Sequence, residues 1–318
     1  ADGKSVIWNV VDSAEPGFDC AETGVDLSQE VSLYSRFKFG DVNAIQSFAK
    51  RLSDKVIGSL EAGGSLSMTF ERAKQRGEFI NLTAPGIRNV VSASNALMRE
   101  AGMRINVWLT AQGLPTMILR TLGRLSSGRA NYAELTAKQR HAREKTTQTI
   151  IPQNEYASFP SHVIFLDDIE VTGQPANRAR ESSLAAGALS FHSFFLFRVD
   201  PEFAKQDAGI EHRMNHFAVN RTLDSTIGEI LRHPDYQPVQ RMLRLLLHAE
   251  NRSLLPAFLN EYASDAVLLR LYFAAMGNDY LWIHANAEGD LGEYGPSLEL
   301  MRQGLITRRL LDDRGLPI

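Results

Sequence analysis

The sequence contains a single cysteine, Cys20, among its 318 residues. A disulfide bond within the chain is therefore impossible, and we expect the reducing cytoplasm as its compartment. No basic residue that could activate the thiol stands close to Cys20 in the sequence. Cys20 is therefore not a candidate nucleophile.

Long apolar runs and an excess of positive charge are also missing. No run approaches the roughly 18 apolar residues that a membrane-spanning helix needs, and the first residues do not follow a signal-peptide pattern. We therefore expect no membrane contact. The chain has 34 Lys and Arg residues against 37 Asp and Glu residues, a net charge of −3, so nucleic acid is not an expected partner.

The segment at residues 163–176 carries the strongest chemical signal of the chain. Four consecutive apolar residues predict a buried strand of a parallel sheet, and Asp167 and Asp168 follow them at its carboxyl end. Ligands of open α/β sheets bind at that end. The pair Thr172 and Gly173 then predicts a turn, and a helix is expected over residues 176–186.

This combination of acids and turn has a chemical logic. The turn's N–H groups and the Thr172 hydroxyl could hold a phosphate, while the two acids accept hydrogen bonds from neighbouring sugar hydroxyls, so a ribose phosphate fits both features. Two alternatives stay open at this stage. The segment could be an ordinary strand-to-helix connection, or an Asp-x-Asp phosphatase motif, although Ile169 and Glu170 after Asp168 match that motif poorly.

Strand and helix patterns alternate through the first two thirds of the chain. Strands are expected at residues 5–11, 78–82, 103–109 and 190–199, a half-buried strand or extended segment at 31–41, and a helix capped by Asp41 from residue 42. This alternation predicts an α/β fold with a doubly wound, mostly parallel sheet. Beyond Pro201 the spacing predicts a helical C-terminal region. The expected division is an entry segment at 1–60, a core at 61–202 and helices at 203–318.

Several basic residues are candidates for binding a polyanion. Arg36 and Lys38 could form a basic rim or a solvated strand face, and Arg88 lies in a Pro-Gly loop that could also be a plain connection. Residues 120–145 hold seven basic residues against two acidic ones. We interpret this stretch as a basic lid carrying Lys138 and Arg140, with a solvated amphipathic helix over 132–145 as the alternative.

The segment at 163–176 resembles the loop of type I phosphoribosyltransferases that binds phosphoribosyl pyrophosphate (PRPP). Asp167, Asp168, Thr172 and Gly173 match that motif position by position, whereas Pro175 stands where the family usually has Thr or Ser. Residues 34–41 and 132–140 resemble the ComF-like group of this family, which is associated with bacterial tellurium-resistance gene clusters.

The resemblance implies a glycosyltransferase of nucleotide metabolism. Such an enzyme moves ribose 5-phosphate from PRPP to a small, nitrogenous base-like acceptor, releases pyrophosphate and uses Mg²⁺, for which the two acids would be direct or indirect ligands. The implied contacts are the acids on the ribose hydroxyls and, at the 5′-phosphate, Val171, Thr172, Gly173, Gln174 and Ala176. Arg88, with Lys138 and Arg140 from the lid, would contact the pyrophosphate, and Arg36 and Lys38 would bind PRPP as a basic rim.

Two rival functions remain beside this hypothesis. Pro175 lacks both a hydroxyl and an N–H, which favours a non-catalytic PRPP- or nucleotide-binding regulatory protein. The basic stretch and the gene-cluster resemblance suggest, as a second rival, an interaction or RNA-linked module. The sequence does not distinguish a monomer from a homodimer.

Overall fold

The computed structural model describes residues 6–7, 11–12, 27–123, 159–199, 210–281, 292–312 and 314–318. The chain divides into two compact units. The α/β unit comprises residues 1–27, 45–87 and 94–212, and the helical unit comprises 28–44, 88–93 and 213–318. Both units are built from separated stretches of sequence. The expected consecutive division at residues 60 and 202 stays a prediction.

The α/β unit is organised around a sheet whose central strands run parallel. Its described strands are β1 Val6–Ile7, β2 Val11–Asp12, β3 Phe79–Thr83, β4 Ile118–Leu119, β5 Ser161–Glu170 and β6 Ser190–Val199. The order is β1-β6-β5-β3-β4, with β2 also pairing β6. Strands β3 to β6 are mutually parallel, whereas β1 and β2 run antiparallel to β6. The predicted mostly parallel α/β sheet is confirmed.

The described helices are distributed between both units. They are α1 Leu27–Lys38, α2 Val42–Glu61, α3 Ser65–Arg76, α4 Ala93–Ala111, α5 Gln174–Ala185, α6 Ile210–Asn215, α7 Ser225–Leu231, α8 Gln240–Leu247, α9 Leu255–Tyr262, α10 Asp265–Gly277 and α11 Gly295–Thr307. Helices α3 and α5, with most of α2 and α4, belong to the α/β unit. The others lie wholly or partly in the helical unit.

Helices α3 and α5 cover opposite faces of the sheet. Ala176 and Ala179 of α5 pack against Phe165 and Phe195. On α3, the Thr69 hydroxyl is 3.1 Å from Nε2 of His192, three positions before Phe195 on β6. Because successive side chains of a strand point to opposite faces, His192 and Phe195 lie on different sides of the sheet. The core is therefore doubly wound, as predicted.

Two segments that were expected to be strands are helices. Residues 31–41 lie largely in α1, where Tyr34 and Phe37 are both fully buried. Positions three apart share one face of a helix but point to opposite faces of a strand, so the helix buries both rings. Likewise, residues 103–109 continue α4. The fourth parallel strand is instead β4, at Ile118–Leu119.

The core of the helical unit is apolar and draws on helices α7 to α11. Its buried members include Met242, Leu246 and Leu271. The helices predicted beyond residue 203 are confirmed at 227–231, 239–248, 254–261, 266–276 and 297–311, with ends that differ by a few residues. Among the described helices, none is both long and apolar enough to cross a bilayer.

Candidate functional site

The paired acids lie near the carboxyl end of β5, a strand that has parallel neighbours on both sides. Asp167 and Asp168 are 7% and 2% exposed. Strand β5 pairs with β3 on one side and with β6 on the other. The two carboxylates therefore stand at the carboxyl edge of the parallel sheet, where open α/β folds bind ligands.

Each carboxylate is held by a hydrogen bond within the α/β unit. The Ser94 hydroxyl, in the first turn of α4, donates to Oδ1 of Asp168. The backbone N–H of Asp168 donates to Oδ1 of Asp167 at 2.9 Å. A buried carboxylate is costly unless it is hydrogen-bonded, so these contacts stabilise the acids and also orient them.

The turn after β5 depends on a glycine in the left-handed region. Gly173 has φ 68° and ψ −7° and directly precedes α5. A Cβ there would stand 3.3 Å from Oε1 of Glu170, and Glu170 is paired with Arg198 of β6. A side chain at this position would therefore be strained by the backbone and crowded by Glu170. The structure thus explains why glycine occupies the position.

The start of α5 presents backbone amides beside the acids. Thr172 is exposed, Gln174 is the first helical residue, and Pro175 follows it in the first turn. The amino end of a helix attracts anions because its first N–H groups lack partners within the helix. Pro175 is well accommodated there but supplies no N–H. The predicted phosphate contacts, Val171, Thr172, Gly173, Gln174 and Ala176, therefore form one continuous turn directly after the acids.

The loop after β3 is held by hydrogen bonds within the α/β unit. Nδ2 of Asn95 donates to the carbonyl oxygen of Pro85 at 3.1 Å. The backbone N–H of Ile87 donates to the carbonyl oxygen of Leu122 at 3.0 Å. The loop therefore has defined contacts to α4 and to the segment after β4.

The predicted basic residues Arg36 and Lys38 belong to the helical unit. They lie on helix α1 and not on a strand face, which corrects the expected local structure. The guanidinium of Arg36 pairs with Asp41 at 2.6 Å and with Glu229 at 3.0 Å. Lys38 is only 8% exposed, and its Nζ lies 5.3 Å from the centre of the Tyr34 ring. These contacts stabilise α1, and a role of either residue in binding PRPP stays a prediction.

The structure describes Arg88 but not the two residues predicted for the lid. Arg88 also belongs to the helical unit, where its guanidinium pairs with Asp279. Both partners are partly exposed, so the pair is accessible to solvent. Lys138 and Arg140 lie outside the described residues. Pyrophosphate contacts of these three residues stay predictions.

A second polar cluster, at the amino ends of the strands, was not anticipated from the sequence. His162 places Nε2 2.8 Å from Oε2 of Glu78 and Nδ1 2.8 Å from Oγ of Ser190. Arg72 of α3 also donates to Glu78, at 3.1 Å. Burial disfavours the charged form of Glu78, but the hydrogen bonds with His162 and Arg72 outweigh it, so the pKa of Glu78 lies below its ordinary value. This cluster joins three strands at the edge opposite the acids.

The contact between Ser94 and Asp168 was also not predicted, because the two residues are far apart in the sequence. Ser94 stands 74 residues before Asp168, and no spacing rule connects the two. The available signal was a serine-rich helix start, Ser92 to Ser94, which predicted only a cap.

The carboxylates of Asp167 and Asp168 suit a metal ion whose other ligands are phosphate oxygens and water. Within the part of the chain that the structure describes, no three His, Cys, Asp or Glu side chains converge on one point. Mg²⁺ in phosphate-binding sites commonly takes only one or two carboxylates and completes its shell with phosphate oxygens and water. Asp167 and Asp168 are compatible with that mode of binding.

Comparison with known families agrees with this geometry. The family model described as PRTase ComF-like matches the chain over residues 7–288, which includes both acids, the turn and most of the helical unit. The chain belongs to the PRTase ComF-like family. This ComF-like chain is therefore of phosphoribosyltransferase type, and the match extends beyond the segments on which the resemblance was first noted. No curated protein and no solved structure matches it significantly.

Proposed function

We propose that the chain is a PRPP-dependent phosphoribosyltransferase that transfers ribose 5-phosphate to a nitrogenous base-like acceptor. The observation that carries the proposal is the pair Asp167 and Asp168 near the carboxyl end of β5, which ends at Glu170 and is followed by the Gly173 turn and the start of α5. Two acids suit two ribose hydroxyls and the turn suits a phosphate, so both parts of ribose 5-phosphate have matching groups.

The reaction replaces one bond at C1 of the ribose. The bond from C1 to the pyrophosphate oxygen breaks, pyrophosphate departs with the bonding electron pair, and an acceptor nitrogen forms the new bond to C1. Positive charge develops on the sugar during this step. The protein's part is to hold the sugar in line for attack and to stabilise charge.

The residues of the α/β unit divide this work between them. The carboxylates of Asp167 and Asp168 accept hydrogen bonds from the ribose hydroxyls, and their negative charge favours the developing sugar cation. The amides of the turn and the Thr172 hydroxyl hold the 5′-phosphate. Because the acids are buried, hydrogen bonds to them form in surroundings of low dielectric and are stronger than in water.

Magnesium fits this proposal as an ion that arrives with the pyrophosphate. Asp167 and Asp168 would hold it directly or through water. The ion would neutralise charge on the leaving group. A place in nucleotide metabolism, the cytoplasm as compartment and an association with tellurium-resistance genes are further expectations of the same proposal.

A second function is supported by Pro175. In the first turn of α5, Pro175 offers neither a hydroxyl nor an N–H to the phosphate. Weaker phosphate binding would suit a protein that senses PRPP or a nucleotide without efficient transfer. The transferase should release pyrophosphate from PRPP when an acceptor is present, whereas the sensor should bind its ligand with little or no release.

Substitution of Asp168 by Asn tests the proposal. Asp168→Asn keeps the size of the side chain but removes the charge and half of the acceptor capacity. We expect PRPP affinity, measured by calorimetry with Mg²⁺, to fall by about tenfold or more, since a hydrogen bond to a charged group contributes about 1.5 to 3 kcal/mol. We also expect pyrophosphate release, assayed with a panel of bases, to be lost.

Asp54→Asn is the matched control, since Asp54 is exposed on α2, where its carboxylate pairs with Nζ of Lys50 at 2.5 Å. This variant should bind PRPP as the wild type does. PRPP binding by the wild type without release of pyrophosphate in the presence of any base would favour the sensor. No binding of PRPP by the wild type would refute the transferase, and no binding of either PRPP or a nucleotide would refute the sensor as well.

A further inference from the structure

Ser94 connects a helix to one of the paired acids. It is the second residue of α4, is 6% exposed, and donates its hydroxyl hydrogen to Oδ1 of Asp168. Both residues belong to the α/β unit. A helix therefore controls the orientation of a carboxylate on the neighbouring strand.

Helix α4 is a firm support for this contact. At Gly102, a Cβ would stand only 2.5 Å from Cδ2 of Leu82, so the helix backbone lies very close to β3. Asn95, the residue after Ser94, holds the carbonyl oxygen of Pro85 at 3.1 Å. Helix α4 is thus packed on β3, and its first turn, which carries Ser94, is hydrogen-bonded to the loop that follows β3.

The two acids are held in different ways. Asp167 accepts a hydrogen bond from the backbone N–H of its own neighbour, Asp168, at 2.9 Å. Asp168 instead accepts one from a side chain that is distant in sequence. The amino end of α4 also carries positive partial charge, which favours a carboxylate beside it. The orientation of Asp168 therefore depends on a second structural element, helix α4.

We propose that Ser94 is a positioning residue that holds the Asp168 carboxylate in the orientation needed to accept a hydrogen bond from a ribose hydroxyl. The proposal rests on the function proposed above, and it assigns Ser94 no contact with the substrate. Sugar recognition then depends on three elements: the end of β5, the turn before α5 and the first turn of α4.

The experiment compares sugars that differ by one hydroxyl. Affinities of ribose 5-phosphate, 2-deoxyribose 5-phosphate and 3-deoxyribose 5-phosphate are measured by calorimetry for the wild type and for Ser94→Ala. We expect the wild type to prefer ribose 5-phosphate over at least one deoxy sugar by about tenfold, the contribution of one hydrogen bond to a charged group. In Ser94→Ala that preference should fall below about threefold.

Two variants serve as controls. Ser94→Thr keeps the hydroxyl and should retain most of the preference. Ser53→Ala removes another buried serine hydroxyl, one that donates to the carbonyl oxygen of Lys50 at 2.8 Å, and should leave the preference unchanged. Thermal unfolding of each variant shows that it is folded before binding is measured.

The outcomes separate this inference from the proposed function. If Ser94→Ala weakens the three sugars equally, or changes none of them, the positioning role is refuted while PRPP binding by the wild type still stands. If the wild type neither binds PRPP nor prefers ribose 5-phosphate, the proposed function is refuted and the positioning role with it.

Discussion

The two units differ most in what they bury. Among the described residues, the α/β unit buries five ionisable side chains, Glu78, His162, Asp167, Asp168 and His192. Apart from tyrosines, the described part of the helical unit buries two ionisable side chains, Lys38 and Asp41, and its core is otherwise largely aliphatic and aromatic. Buried ionisable groups are costly unless they are paired, so their concentration on one sheet needs an explanation.

Position along the strands supplies that explanation. The acids stand at the carboxyl edge of the sheet, where a ligand is expected, whereas Glu78 and His162 stand at the amino edge and satisfy each other. The described core of the helical unit contains neither paired acids at the end of a strand nor a hydrogen-bonded Glu and His. Under the proposed function, the chemistry takes place at the carboxyl edge of this sheet.

The largest effect is expected from breaking the amino-edge cluster. Glu78→Leu leaves His162 buried without its carboxylate partner and also removes the partner of Arg72. The loss of a hydrogen-bond partner for the buried imidazole of His162, together with the loss of the partner of Arg72, should lower the free energy of unfolding by about 3 kcal/mol. Urea unfolding at neutral pH measures this loss. A change below about 1 kcal/mol would mean that the cluster contributes little to the stability of the α/β unit.

The same cluster predicts a dependence on pH. The pKa of Glu78 is lower in the folded chain than its ordinary value, so the folded state favours the charged form. Its contribution to stability is therefore complete above the ordinary Glu pKa and is lost as the pH falls through the lower, folded value. The stability difference between the wild type and Glu78→Gln should accordingly shrink on acidification. A difference that stays constant from neutral pH to about pH 3, below the reference Glu value, would contradict this.

A smaller effect is expected from packing in the helical unit. At Gly228 of α7, an added Cβ would overlap the ring of Tyr262 on α9, so Gly228→Ala must displace one helix or the ring. We expect a loss of about 2 kcal/mol, typical of overpacking.

Gly304→Ala in α11 is the matched control for this packing effect. The same methyl group meets no atom within 4 Å there. It should stabilise the chain by about 0.5 to 1 kcal/mol through helix propensity. Equal thermal shifts for the two variants would show that the helical unit is less tightly packed than its buried core suggests.

The smallest effect on stability is expected at Arg88. Its pair with Asp279 is partly exposed, with side-chain exposures of 39% and 51%, so Arg88→Ala should change the free energy of unfolding by no more than about 0.5 kcal/mol. Its predicted pyrophosphate contact would then appear as weaker binding of Mg²⁺-pyrophosphate in calorimetry. Asp279→Asn is the control, because it removes the pair but keeps the arginine. Equal affinities in Arg88→Ala and the wild type would eliminate Arg88 as a pyrophosphate ligand.

Much of the α/β unit could be predicted from local patterns. Apolar runs predicted β3, β5 and β6, and the turn chemistry at Thr172 and Gly173 predicted the start of α5. These signals are local, because the strand is uniformly buried and the turn needs a glycine with positive φ. The paired acids were found for the same reason.

The features that sequence reasoning missed depend on contacts between distant segments. Residues 103–109 have the composition of a strand, but Leu97, Ala101, Ile105 and Leu109 bury one face of a single long helix. The bond between Ser94 and Asp168 joins positions whose spacing carries no information. Only the packing of α4 on the sheet brings them together.

The acids occupy consecutive positions of β5, and this has a geometric consequence for ligand shape. Because side chains alternate along a strand, Asp168 points toward the layer that contains α4, while Asp167 points toward the layer that contains α5. A ligand with one hydroxyl can satisfy only one of the two layers. Under the proposed function, the two neighbouring hydroxyls of the ribose would therefore be bound from both layers, one by each carboxylate.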